Sequence, residues 1–125
     1  HGTVPRPDAL RMQRDASAIL HVDWKRASDG VPTAKLFEYL AATPPILVVG
    51  PESDSPIGRV IDTTRRGVHL GDDVSKIAAT LVSLAASPDE IAPDPDRDAV
   101  ASYARDRQAL RLLALIRERV DRVPG

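Results

Sequence analysis

Short apolar runs alternate along this chain with stretches of helical period. Ser17 to Asp23, centred on Ile19, Leu20 and Val22, reads as a strand buried on both faces. Pro45 to Val49 is apolar throughout and reads as a second strand, and Gly67 to Gly71 as a short third. Thr33 to Ala42 reads as a helix whose Leu36, Phe37, Leu40 and Ala41 belong to the core. Pro56 starts another through Thr64, since proline suits a first helical turn. Asp72 or Asp73 caps the next, in which Val74, Ile77, Ala78, Leu81 and Leu84 form one stripe. Pro5-Arg-Pro-Asp8 opens an N-terminal helix that Leu10, Met12 and Ala16 continue weakly. Residues 88–96 form a proline- and acid-rich linker. The last helix, roughly Arg97 to Val123, reads as the longest. Its Val100, Tyr103, Ala104, Leu110, Leu113, Leu115 and Ile116 are expected to lie against the sheet or a missing neighbour.

Strands and helices that alternate with short connections predict an α/β fold with a parallel, right-handed sheet. The expected architecture is Rossmann-like: three layers, helices on both faces, and a long C-terminal helix. Three strands are evident where about five or six are usual in such folds. With the abrupt opening at His1-Gly2, this predicts a single domain over 1–125 that is the later part of something larger, truncated at its N-terminus.

Composition narrows the function classes. At 125 residues the chain builds one core. Its 17 basic and 18 acidic residues give a net charge of -1, which disfavours a nucleic-acid partner held by counterion release. Aromatic residues make up 3%, too few for base-stacking platforms. There is no cysteine, so disulfides and thiolate metal sites are excluded, as a reducing compartment would favour. No apolar run reaches the roughly 20 residues of a membrane span, and no signal segment opens the chain. A cytoplasmic location is expected.

Ser28 to Gly50 carries the candidate chemistry. Ligands of open α/β sheets sit at the carboxyl ends of the strands, where loops meet helix starts. Asp29-Gly30 permits a tight turn and Pro32 presets a helical start, which leaves the N–H groups of Thr33, Ala34 and Lys35 free for a phosphate. Lys35 and Glu38 are three residues apart on nearly one face, and a carboxylate there can accept hydrogen bonds from a ribose diol. An ordinary exposed Lys–Glu pair is the competing reading. His21 and His69 read as strand residues and His1 as a chain end. No histidine pair has metal-ligand spacing, and there is no Walker loop, GxGxxG or GxSxG elbow.

Gly30-Val-Pro-Thr-Ala-Lys-Leu-Phe-Glu-Tyr-Leu-Ala-Ala-Thr-Pro-Pro-Ile-Leu-Val-Val-Gly50 closely resembles the signature of GT-B glycosyltransferases of the group-one, retaining kind. There a G-x-P-x-K-x-x-E-Y-L-A-A-G-x-P-I-L pattern lies in the C-terminal, nucleotide-sugar-binding half. His1 to Pro5 resembles the family's G-x-V turn, Ala16 to Asp23 its A-D-x-x-L strand, and Ile57 to Ile61 with Gly67-Val68 its following helix and strand. Tyr103-Ala-Arg105 resembles the opening of its last helix. The likeness thus spans nearly the whole chain.

The resemblance implies a partial glycosyltransferase domain, inactive alone, of the kind used in polysaccharide biosynthesis. Its partners would be a nucleotide-sugar donor and the missing N-terminal GT-B domain, in a protein that is possible as a membrane-peripheral one. It implies no obligatory metal or other cofactor. Glu38 would hold the ribose hydroxyls, and Gly30, Val31, Pro32, Thr33, Ala34 and Lys35 would surround the distal phosphate or sugar. Asp29, the candidate catalytic residue, would stand near the first acidic position of the family's paired-acid motif, which faces the donor sugar, and Thr3 and Val4 would line the base pocket. Three departures stand out. Ala34 is an extra residue that moves Asp29 one position out of spacing. Thr43 replaces the glycine that ends the family's helix, so this helix must end by another device. The family's diphosphate-neutralising basic pair would precede His1, with Arg6 and Lys25 the nearest substitutes in sequence. The alternatives are a nucleotide-sugar epimerase of the same fold and a non-catalytic fragment.

Overall fold

The computed structural model of the protein describes residues 2–23, 33–50, 54–87 and 94–122. Its elements run α1 (Arg6–Asp15), β1 (Ile19–Val22), α2 (Ala34–Leu40), β2 (Ile46–Val49), α3 (Pro56–Thr64), β3 (Gly67–Gly71), α4 (Val74–Ala86), α5 (Arg97–Ser102) and α6 (Arg105–Asp121). The three strands form one parallel sheet in the order β1-β2-β3. The molecule is therefore α/β, with a small parallel sheet flanked by helices and a long final helix.

Local signals account for most boundaries. Pro56 lies in the first turn of α3, and the Ser55 hydroxyl accepts a hydrogen bond from the Gly58 N–H at 3.0 Å. Of the two candidate caps before α4, Asp73 is the one used: its Oδ1 accepts from the N–H groups of Ser75 and Lys76. Asp96 caps α5 in the same way, accepting from the Ala99 N–H at 2.9 Å. Its own N–H donates to the Thr64 carbonyl, which ties this last part of the linker to the end of α3.

The core lies between the sheet and two crossover helices. Leu36 and Leu40 of α2 and Ile57, Val60 and Ile61 of α3 pack with Ile46 and Val48 of β2. Parallel pairing puts Ile19 and His21 of β1 beside Ile46 and Val48, and all four are buried. Leu20 and Val22, expected inside, are 57% and 46% exposed. The reason is position: β1 has β2 on one side only, and nothing among the described residues covers its second face. Leu47, in the central strand, is buried instead.

Two helical expectations need correction. The last helix is not continuous. Tyr103 and Ala104 donate to the carbonyls of Val100 and Ala101, Ala104 becomes extended, and α6 starts afresh. The break lets Tyr103 pack against the core cluster. The second correction concerns one of the two placements expected for the last helix's stripe. Leu110, Leu113, Leu115 and Ile116 of α6 are all exposed, so of the sheet and a missing neighbour the sheet is ruled out. In α4, too, Val74 and Leu81 are exposed, and only Ile77, Thr80 and Leu84 are half-buried.

The C-terminal end of α2 shows how a helix stops without glycine. Ala41 keeps right-handed backbone angles, and the carbonyls of Ala42, Thr43 and Pro44 turn inward. The Arg66 guanidinium meets all three: Nη1 donates to Thr43 at 3.0 Å, and Nη2 to Pro44 at 3.1 Å and to Ala42. Arg66 is brought there by Arg65, which ends α3 in the left-handed conformation at φ 52°.

Candidate functional site

The 3.6-residue period divides α2 into two working faces. Leu36 and Leu40 point to the core, while Ala34, Phe37, Glu38 and Ala41 share the outer stripe. That stripe is one wall of a cavity of about 750 Å³. Arg6, in the first turn of α1, and Tyr103, Ala104, Arg105 and Gln108, at the α5–α6 junction, form the rest. Small aliphatic and aromatic walls with a few convergent polar groups are the usual make-up of a small-molecule pocket.

Glu38 is the only carboxylate among these lining residues. Arg6 Nη2 donates to its Oε1 at 2.8 Å, joining residues 32 apart in sequence. The side chains are 74% (Arg6) and 34% (Glu38) exposed, so the carboxylate is half-buried rather than buried. An ion pair this open to water is worth at most about 1 kcal/mol, and a ligand hydroxyl competes for Glu38 at little cost. Across the cavity wall, the rings of Phe37 and Tyr103 lie 5.9 Å apart and tilted by 32°. Gln108 Nε2 donates to the Ser102 carbonyl at 2.5 Å, which fastens the first turn of α6 to α5.

The remaining site expectations divide three ways. Thr3 is exposed and Val4 half-buried, in the segment that leads directly into Arg6 and α1. Thr33 is the extended N-cap of α2, and its hydroxyl makes no capping bond. Ala34 lines the cavity, but Lys35 is exposed and does not. At about 100° per residue Lys35 lies some 60° around the helix from Glu38, and the cavity opens on the other side of Glu38. Asp29, Gly30, Val31 and Pro32 lie outside the described residues. Phe37 and Ala41, expected in the core, are instead exposed on the outer side of α2 and line the cavity, because the buried side chains of that helix are Leu36 and Leu40. Ala104, Gln108 and the meeting of Arg6 with Arg105 at one cavity were missed as well. The resemblance at Tyr103 and Arg105 was the one available signal, and it located a helix, not a wall.

No known family profile, curated protein or solved structure matches this chain.

Other features of the described residues add little chemistry to this cavity. No three His, Asp or Glu side chains among them gather as metal ligands. No helix among the described residues is long and apolar enough to cross a membrane. A hollow of about 590 Å³ near the C-terminal end of α6 is walled, among the described residues, by that helix alone.

His21 lies outside the cavity, buried in β1 with its ring edge-on to Tyr39 at 6.1 Å. Burial lowers its pKa from the usual 6.5 or so, and Asp23 nearby offsets part of that shift. Between the lowered and the ordinary value the unfolded chain binds more protons than the folded one, so stability rises with pH there. The full stability is present above about pH 6.5 and is lost as the pH falls to the folded-state pKa. Urea midpoints measured from pH 7.5 downward should show this loss in the parent protein and a flatter profile in His21→Phe. Identical acid limbs in the two proteins would rule His21 out as its source.

Proposed function

We propose that this chain is the later part of the nucleotide-sugar-binding domain of a GT-B glycosyltransferase, and that the cavity at Glu38 takes the donor's ribose. One juxtaposition carries the reading. The signature-like motif assigns Glu38 to the ribose, and Glu38 stands at the wall of a cavity to which its hydrogen bond from Arg6 adds the start of α1, just after the Thr3-Val4 turn. A parallel sheet with flanking helices suits such a domain. In this reading a second domain supplies the acceptor site and closes the cleft. The glycosyl group leaves its nucleoside diphosphate, whose developing charge is stabilised electrostatically. The donor is a substrate, and the reading calls for no resident cofactor. Neither His21 nor His69 lines the cavity, so among the described residues the proton-transfer groups an epimerase requires have no histidine candidate there.

Calorimetric titration with uridine, guanosine and adenosine diphosphates tests this. Saturable binding of at least one is expected, and Glu38→Ala should weaken it about tenfold or more, since hydrogen bonds to a charged acceptor contribute about 1.5–3 kcal/mol. Silence from all three ligands, or undiminished affinity in Glu38→Ala, overturns the assignment.

A further inference from the structure

The cavity holds more positive charge than a ribose can use. Among the described residues that line it, Arg6 and Arg105 stand against the single carboxylate of Glu38. Arg6 is engaged by Glu38, whereas Arg105 has no ion-pair partner among the described residues. A guanidinium is a planar fork of donors that fits phosphate oxygens two at a time. Around it the cavity offers the rings of Phe37 and Tyr103, the side-chain amide of Gln108, and the acceptor oxygens of Glu38. A neutral sugar would leave Arg105 without a counter-charge, and inorganic phosphate would leave the aromatic wall without a partner. A nucleoside diphosphate has a group for each: anionic oxygens, a hydroxylated ring, and a flat base. That base meets the Phe37–Tyr103 wall and not the Thr3-Val4 turn, since neither Thr3 nor Val4 lines the cavity.

We propose that Arg105, together with Arg6 once it is released from Glu38, holds the diphosphate of the nucleotide, which makes the α5–α6 junction a wall of the ligand site. This rests on the nucleotide-sugar reading above and adds to it the source of the phosphate-binding charge. The sequence of contacts follows from the Arg6–Glu38 pair. Ligand hydroxyls take over Glu38, and the freed Arg6 guanidinium turns to the phosphates of the same ligand beside Arg105. A nucleoside without phosphates breaks the same ion pair and gives Arg6 nothing in return. The diphosphate should therefore bind much more tightly than its nucleoside, and more weakly as salt is added.

The test is a calorimetric comparison of the parent protein with Arg105→Gln. Each is titrated with the nucleoside diphosphate the parent prefers and with the matching nucleoside, at low and high salt. Arg105 is exposed at the start of α6, so circular dichroism should show the fold retained. Arg105→Gln should weaken the diphosphate about tenfold or more and the nucleoside less than about twofold, and should flatten the salt dependence. Arg105→Lys should restore part of the loss, because it returns the charge without the fork. Unchanged diphosphate affinity in Arg105→Gln overturns this inference and leaves the Glu38 reading standing. Equal weakening of both ligands also overturns it, since that is the mark of a merely structural residue. A parent protein that binds no nucleoside diphosphate overturns both.

Discussion

Gly67→Ala is expected to unfold most of the molecule. Gly67 opens β3 and pairs with Ile46 of the central strand. A Cβ placed on it would overlap the Ile46 carbonyl oxygen and lie 2.6 Å from that residue's carbonyl carbon and 2.8 Å from its nitrogen. All three atoms are backbone, so no side chain can swing aside. Relief requires separating the two strands at the point where the Ile46 N–H donates to the Arg66 carbonyl at 2.8 Å. Ile46 is itself fully buried between α2 and α3, so its displacement also disturbs the core. Such a substitution belongs with the exceptional ones that cost upward of about 4 kcal/mol, against a total stability of roughly 5–15 kcal/mol for an ordinary domain. Gly71→Ala separates crowding from backbone strain. Gly71 has φ +69°, yet an added Cβ there meets nothing within 4 Å. It should cost only the roughly 1–2 kcal/mol of a left-handed alanine. Urea unfolding followed by circular dichroism distinguishes them, and comparable losses at both sites would show that crowding at Ile46 is not the dominant effect.

Arg66→Met is expected to cost about 3 kcal/mol. Methionine keeps much of the stem volume but removes the donors for the carbonyls of Ala42, Thr43 and Pro44. Each buried acceptor left without a partner costs about 1–3 kcal/mol, and partial hydration of the exposed Thr43 end reduces the sum. For a domain of this size the melting temperature should fall by roughly 10 °C. Arg66→Lys should recover little, because one ammonium cannot reach three carbonyls spread over a turn. The damage should also reach the cavity, since α2 carries both the Arg66 contacts at its end and Glu38 on its outer face. A melting temperature within a degree or two of the parent's would mean that the turn finds other donors, and that Arg66 does not hold the end of α2.

The motif from Gly30 to Gly50 pointed to Glu38, and the cavity is found beside it. The same motif was a poor guide to which neighbours share that cavity. Lys35 looked equivalent to Glu38 by spacing, but only residues on the Ala34–Ala41 side of the helix meet α1 and the α5–α6 junction. Arg6 lies 32 residues from Glu38, and Arg105 much further along the chain, so no local pattern could link them. Thr43 announced that α2 must end without a glycine cap. It gave no hint that the donor would come from Arg66, about two dozen residues later.

The order and type of the main elements were legible in the sequence because their causes are local. Apolar period, a proline in the first turn, and the caps at Ser55, Asp73 and Asp96 all act within a few residues of where they stand. Tertiary structure decided the rest. An edge position left Leu20 and Val22 of β1 open to solvent, and packing of Tyr103 on the core accompanied a break in the last helix that no proline or glycine marked. It also decided that Glu38 would share a cavity with two arginines. Burial and charge at a site depend on which distant segments arrive there, and that is set by the closing of the fold around the sheet.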